Sequence, residues 1–227
     1  MLNWRAHLLY WVIPVVVIGI MIAMYFSGIG WLMSIVAPVF SREFGLLENL
    51  QALLIAAIIG MAGWRGLHSH SAQRIFFILV AAGSLFMLLE ELDYGTHFLW
   101  AIQGWDPATR PVINIHNQGD ATDKFKHAGD VILVLWFVIF PFTGRWLNGA
   151  WVRFLRPSRM FVLSVLAAYL LSRLTHWLNA NMAPSPNPLD TGISEFRELF
   201  TYYIAFLYIA TLAFARSWSH RRTADAA

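Results

Sequence analysis

The sequence predicts an all-α fold, a polytopic membrane helix bundle of about six transmembrane helices with both termini cytoplasmic. Three observations predict it. Of 227 residues, 58% are hydrophobic and only 13% charged, whereas a soluble domain carries about a quarter charged residues. The apolar residues collect into runs close to the roughly 20 that cross a bilayer core. Lys and Arg fall mostly in one alternate set of the connecting segments, as the positive-inside rule requires.

Six spans follow in order, at approximately 8–27, 46–64, 75–92, 128–145, 160–178 and 194–216, all in a single domain over 1–227. The first resembles a signal peptide in position only. Its apolar run is too long, Pro14 interrupts it early, and no small-x-small cleavage site follows, so it reads as an anchor helix. The second is an apolar run with Glu48 near its start, the third is an apolar run closed by Glu90 and Glu91, and the fourth is preceded by a long polar stretch. The fifth runs into the Pro184, Pro186 and Pro188 connection, and the sixth opens on Glu195 and Glu198.

One set of segments holds Arg5, Arg65, Arg74, Arg145, Arg153, Arg156, Arg159, Arg216, Arg221 and Arg222; the other holds Arg42, Arg110, Lys124 and Lys126. Ten against four places the first set, and both termini, inside. The outer segments are then 28–45, apolar and interfacial, 93–127, whose start from Tyr94 to Trp105 suits an interfacial helix, and 179–193. The absence of cysteine excludes disulfides, thiolate metal sites and cysteine nucleophiles. The basic residues are dispersed rather than patched, which argues against a nucleic-acid partner. The expected partner is membrane lipid.

Twelve of the thirteen carboxylates lie in the outer loops or at their mouths; Asp225 is the exception. Glu48, Asp120, Asp123, Glu195 and Glu198 fall where helices entering from outside have their N-termini, and the helix dipole favours acids there by about 0.3–1 kcal/mol. Asp120 reads as an N-cap with Asp123 at the third helical position. Glu90, Glu91 and Asp93 differ. They end a helix running outward, where the dipole is negative, directly after the apolar stretch Leu85–Leu89. Carboxylates at membrane depth need a cation or take up protons.

The spacing favours convergence. Glu90, Asp93 and His97 share a face if their helix continues; so do Asp123, His127 and Asp130, the pair Arg173 and His176, and the pair Glu195 and Glu198. The expected roles are catalytic for Glu90, Glu91 and Asp93, and metal-ligating for His127, Asp130, His176, Glu195 and Glu198. A substrate pocket is expected from Asn114, His116, Asn117, Glu48, Arg173 and Arg197. Imidazole mixed with carboxylate suits a divalent metal ion, zinc first. No His-Glu-x-x-His, nucleophile-elbow or phosphate-loop motif occurs.

Glu43-Phe44-Gly45 with Glu48 and Gln51, Glu90-Glu91-x-x-Tyr94-Gly95, Asn114-x-His116-Asn117 and Glu195-x-x-Glu198 together resemble a family of uncharacterised bacterial multi-pass membrane proteins. That family carries a Glu-Glu…Trp-Gly-Gln segment and an Asn-Leu-His-Asn segment, and the likeness covers about residues 43–200. This chain has Tyr94 for the Trp and Thr96 for the Gln. The resemblance implies a shared outer site in the bacterial cytoplasmic (inner) membrane without naming a reaction. A fainter similarity reaches the alkaline ceramidase group of membrane metallohydrolases, which use a late His-x-x-x-His pair; here only His176 stands in that region.

The expected function is a membrane-embedded, metal-dependent enzyme, a hydrolase in type, acting on a lipid or lipid-linked substrate at the extracytoplasmic side. The alternatives are a non-catalytic membrane assembly protein with a structural polar network, and a proton-coupled transporter.

Overall fold

The computed structural model describes residues 4–39, 44–95, 102–103, 120–143, 146–147, 149–190 and 192–214, without the side chains of Asp93 and of residues 120–126. Asn114, His116 and Asn117 lie outside the described residues, as do His97 and most of the segment expected to be an interfacial helix.

The described chain is helical, with no strand among the described residues. Helix α1 spans Trp4–Tyr25, α2 Gly30–Val36, α3 Leu46–Leu67 and α4 Ser71–Glu91. Helix α5 begins with Asp120–Leu133 and continues through a π-helical stretch, Val134–Ile139, to a last turn at Phe140–Thr143. Helix α6 spans Ala150–Leu155, α7 Phe161–Met182 and α8 Glu195–Phe214. Four helices, α1, α3, α4 and α7, are long and apolar enough to cross a membrane. The apolar part of α5, His127–Thr143, is shorter.

Helix α8 forms the centre of the bundle. It buries ten residues, including Phe196, Phe200, Ile204, Leu207 and Tyr208, and packs against α3, α7 and α1. Helix α4 is its opposite. Of 21 residues it buries only Phe77 and Glu90, while Ile75, Leu79, Leu85 and Phe86 face outward. A soluble helix with that pattern would be inside out. In lipid it is the expected arrangement, because hydrocarbon solvates leucine and excludes glutamate.

Two helix breaks show how the backbone is satisfied. Pro14 has no N–H, so the carbonyls of Tyr10 and Leu9, four and five residues before it, lose their helical donor. The stretch Leu8–Val12 becomes π-helical. The Ser164 hydroxyl of α7 then donates to Tyr10 O at 2.7 Å, and the Tyr203 hydroxyl of α8 to Leu9 O at 2.7 Å. Likewise α6 ends before Pro157, with Arg156 extended. The Tyr208 hydroxyl reaches back to Leu155 O at its C-terminus. Apolar surroundings offer no water for such carbonyls, so neighbouring helices supply the donors.

The segment 28–45, expected to lie in the interface, carries α2, whose Met33 and Val36 are buried in the core while Trp31 points outward. It packs so closely on the start of α3 that a Cβ on Gly45 would sit 2.1 Å from Val36 O.

The helix ends separate charge by sign. Arg5, Arg65, Arg74, Arg153, Arg156 and Arg159 lie toward one end of the bundle, where Trp64 stacks on Phe214 and Phe77 packs on Phe154. The described carboxylates lie toward the other end, where Gln51 meets Glu195 and Tyr202 meets Glu91.

Candidate functional site

The site is assembled at the acidic end from the C-terminus of α4, the first turns of α3 and α8, and the start of α5. Helix α4 stops at Glu91, and Asp93–Gly95 forms a 3₁₀ turn in which Tyr94 takes a left-handed conformation, φ 55°. The α-helix therefore ends before Asp93, and His97 lies outside the described residues. The turn instead folds Tyr94 back one helical step, so that its hydroxyl donates to Glu90 Oε1. Glu90 is 2% exposed. The Tyr94 phenol is held above its ordinary value of 10.0, first by that hydrogen bond, then by loss of solvent and by the Glu90 charge.

Glu91 points along the other side of the helix end and accepts a hydrogen bond from the Tyr202 hydroxyl of α8. Tyr202 also lies in the electrostatic field of Glu198 and Glu195, the two acids in the first turn of α8. Three carboxylates from two helices thus gather round one phenol.

Gln51 of α3 completes the inner wall. It is fully buried, and its Nε2 donates to Glu195 Oε2 and Glu195 O, both at 3.1 Å. Its Oε1 is buried with no hydrogen-bond partner among the described residues. An amide oxygen left in that state costs about 1–3 kcal/mol, which a donor on a bound water or ligand would recover. Ser194 donates to Glu198 Oε1 at 3.0 Å. Asp130 of α5 is paired with Arg197 of α8 at 3.1 Å.

The structure therefore brings together Glu91, Glu195 and Glu198 at Tyr202, with Glu90 buried one residue away against Tyr94 and the Arg197–Asp130 pair joining α5 to the same turn of α8. Glu48 sits in the first turn of α3. Asp93 lies in the 3₁₀ turn. His127 is exposed on α5. Arg173 and His176 also face away from the core: both are exposed, whereas Ser172 and Thr175, between and beside them, are buried. The Arg173 guanidinium lies 5.8 Å from the Tyr169 ring, one turn back along α7. The i, i+3 spacing of Arg173 and His176 does place them on one face, but it is the outer face. Among the described residues, no three His, Asp or Glu side chains are grouped to hold a metal ion.

Three participants were not singled out as site residues from sequence: Tyr202, Ser194 and, as a buried amide, Gln51. Tyr202 follows Glu198 by four residues and Glu195 by seven, so helical spacing alone puts the three on one face. Gln51, three after Glu48, is a polar residue at the head of an apolar run.

A second polar knot closes this end. The Tyr25 hydroxyl, at the end of α1, donates to Asn187 Oδ1 and accepts from Leu189 N at 3.0 Å. Asn187 Nδ2 bonds Asn179 at 3.0 Å and Asp190 at 3.3 Å. These bonds fix the α7–α8 connection over the bundle and deliver Glu195 to Gln51.

No protein-family model, curated protein or solved structure matches this chain.

Proposed function

We propose that the chain is a six-span protein of the bacterial cytoplasmic membrane, both termini inside, whose outward-facing carboxylate–phenol cluster performs acid–base chemistry on a lipid or lipid-linked substrate. The observation that carries this reading is the meeting of Glu91, Glu195 and Glu198 at Tyr202, near a Gln51 oxygen that has no partner among the described residues. A carboxylate held by a phenol beside further acids is the kind of positioned group that general acid–base catalysis uses. Glu91 is the proton-transfer group and Tyr202 orients it. Gln51 Oε1 offers an acceptor to a hydroxyl or amine of the substrate. The cluster lies at the mouth of the bundle, so a headgroup reaches it from the outer leaflet. The arginine-rich opposite end supports the orientation, and α5 and α8 supply the two spans beyond the four most apolar helices.

The metal-dependent form of this reading has less support. Of its expected ligands, Asp130 is held by Arg197, and His127 and His176 are exposed. Acid–base chemistry by the cluster itself needs none of them.

The test compares lipid extracts of cells with and without the protein, alongside Glu91→Gln and Tyr202→Phe. The wild type should change the abundance of at least one lipid or lipid-linked species. Glu91→Gln should lower that conversion by about 10²–10⁴-fold, the usual contribution of a positioned acid or base, at unchanged membrane abundance. Identical extracts with and without the protein, or a fully active Glu91→Gln, would overturn the proposal. Stoichiometric zinc in the purified protein, lost in Glu91→Gln, would restore the metal-dependent form.

A second reading has its own observation. Glu90, Glu91, Glu195 and Glu198 each accept a hydrogen bond from a side chain of this same bundle, the pattern of a network that specifies packing. Under it, the same substitutions lower the yield of folded protein and alter no lipid.

A further inference from the structure

A seam between α1 and α8 carries a feature separate from the acidic cluster. The two helices run antiparallel and line two successive hollows, the second of them together with α3. The first, about 560 Å³, lies toward the arginine-rich end and is walled by Arg5, Leu9, Tyr10, Leu207, Ala210 and Thr211. The second, about 140 Å³, lies one turn further on, between Ile13, Val17, Leu50, Leu53 and Tyr203. Its walls are apolar apart from the Tyr203 hydroxyl, which is already engaged with Leu9 O.

The chemistry changes along the seam in one direction. At its mouth stand a guanidinium, Arg5, exposed beside the Trp4 ring at 5.7 Å, and the Thr211 hydroxyl. Beyond them the lining is leucine, isoleucine and valine, and Leu9, Ile13, Val17 and Leu53 are open to the outside. From Arg5 to Val17 the seam is about 18 Å long at 1.5 Å per helical residue, close to the length of an extended acyl chain.

We propose that this seam seats one anionic phospholipid of the cytoplasmic leaflet, its phosphate on Arg5 and one acyl chain along Leu9, Ile13 and Val17. Charge selects the occupant. The described residues of this end carry six arginines, Arg5, Arg65, Arg74, Arg153, Arg156 and Arg159, and no carboxylate. A planar guanidinium matches a phosphate in two-point geometry, and basic residues at the membrane surface draw anionic headgroups. Along the seam α1 is π-helical over Leu8–Val12, and the carbonyls of Leu9 and Tyr10 are taken by the Tyr203 and Ser164 hydroxyls.

The test uses the full-length protein in mild detergent with phosphatidylglycerol or phosphatidylcholine of identical chains, read by native mass spectrometry. One phosphatidylglycerol per chain should survive activation that strips phosphatidylcholine. Arg5→Ala should reduce the lipid-bound fraction at least tenfold, and Ala210→Trp, which fills the larger hollow, should do the same. Arg74→Ala, at the same end but off the seam, should retain the lipid. Equal retention of both lipids, or retention by Arg5→Ala at the wild-type level, would overturn the proposal. So would an equal loss in Arg74→Ala, since diffuse charge would then suffice. Arg5 is exposed, so its variant keeps the test decisive even if Ala210→Trp fails to fold.

Discussion

At the scale of single residues, position rather than type decides what a polar group does. Glu90 and Glu91 are neighbours on one helix end, yet one is sealed against Tyr94 and the other reaches across to Tyr202 on α8. Successive helical residues point about 100° apart, so adjacent acids serve different partners. Tyr94→Phe should therefore disturb Glu90 and leave the α4–α8 contact intact, whereas Tyr202→Phe should break that contact alone. Thermal unfolding of the two single variants and the double variant in detergent should show nearly additive losses, each about 0.5–2 kcal/mol. Gly45 presents a steric case. A methyl group there would meet the Val36 carbonyl at 2.1 Å, closer than any contact that side-chain movement can relieve, because both sides are backbone. Gly45→Ala should cost about 1–3 kcal/mol, seen as a lower unfolding temperature and a lower yield of folded protein.

At the scale of elements, the helix breaks and the hydroxyls of other helices form one system. Pro14 creates two acceptors, and Ser164 and Tyr203 fill them. The coupling is measurable. Ser164→Ala should destabilise the wild type by about 0.6–1.7 kcal/mol, the range for hydrogen bonds between membrane helices. It should cost much less in a Pro14→Ala background, where Tyr10 O regains a helical donor. Equal losses in both backgrounds would mean that Ser164 stabilises through packing alone. Helices α4 and α8 show the same physics from the other direction. The outer helix, α4, is one of those long and apolar enough to cross a membrane, and the helix with Glu195, Arg197, Glu198 and several tyrosines is the core.

At the scale of the whole molecule, the described carboxylates lie toward one end of the bundle and six arginines toward the other, while Arg197 stands among the acids. The orientation proposed from that separation is directly testable, because a chain without cysteine gives reporter thiols no background. In intact cells, Ala183→Cys should react with a membrane-impermeant maleimide and His70→Cys should not until the membrane is opened. The reverse pattern would invert the topology and move the acidic site to the cytoplasm.

The sequence by itself determined the helical class, the approximate ends of the long helices and the segregation of charge. Each depends on local quantities: the length of an apolar run, the identity of the residues that close it, and the excess of arginine in alternate segments. It also marked Glu90, Glu91, Glu195 and Glu198 as unusual, since acids beside apolar runs are costly wherever the chain goes. Only the tertiary structure decided which of them meet. The faces of α4, α7 and α8 are set by packing around α8, and a helix rotated by half a turn has the same sequence pattern but the opposite partners. That rotation is why Arg173 and His176, well spaced for a site, point outward. It is equally why Tyr202 and Gln51, which carry no acid–base signature of their own, complete the cluster.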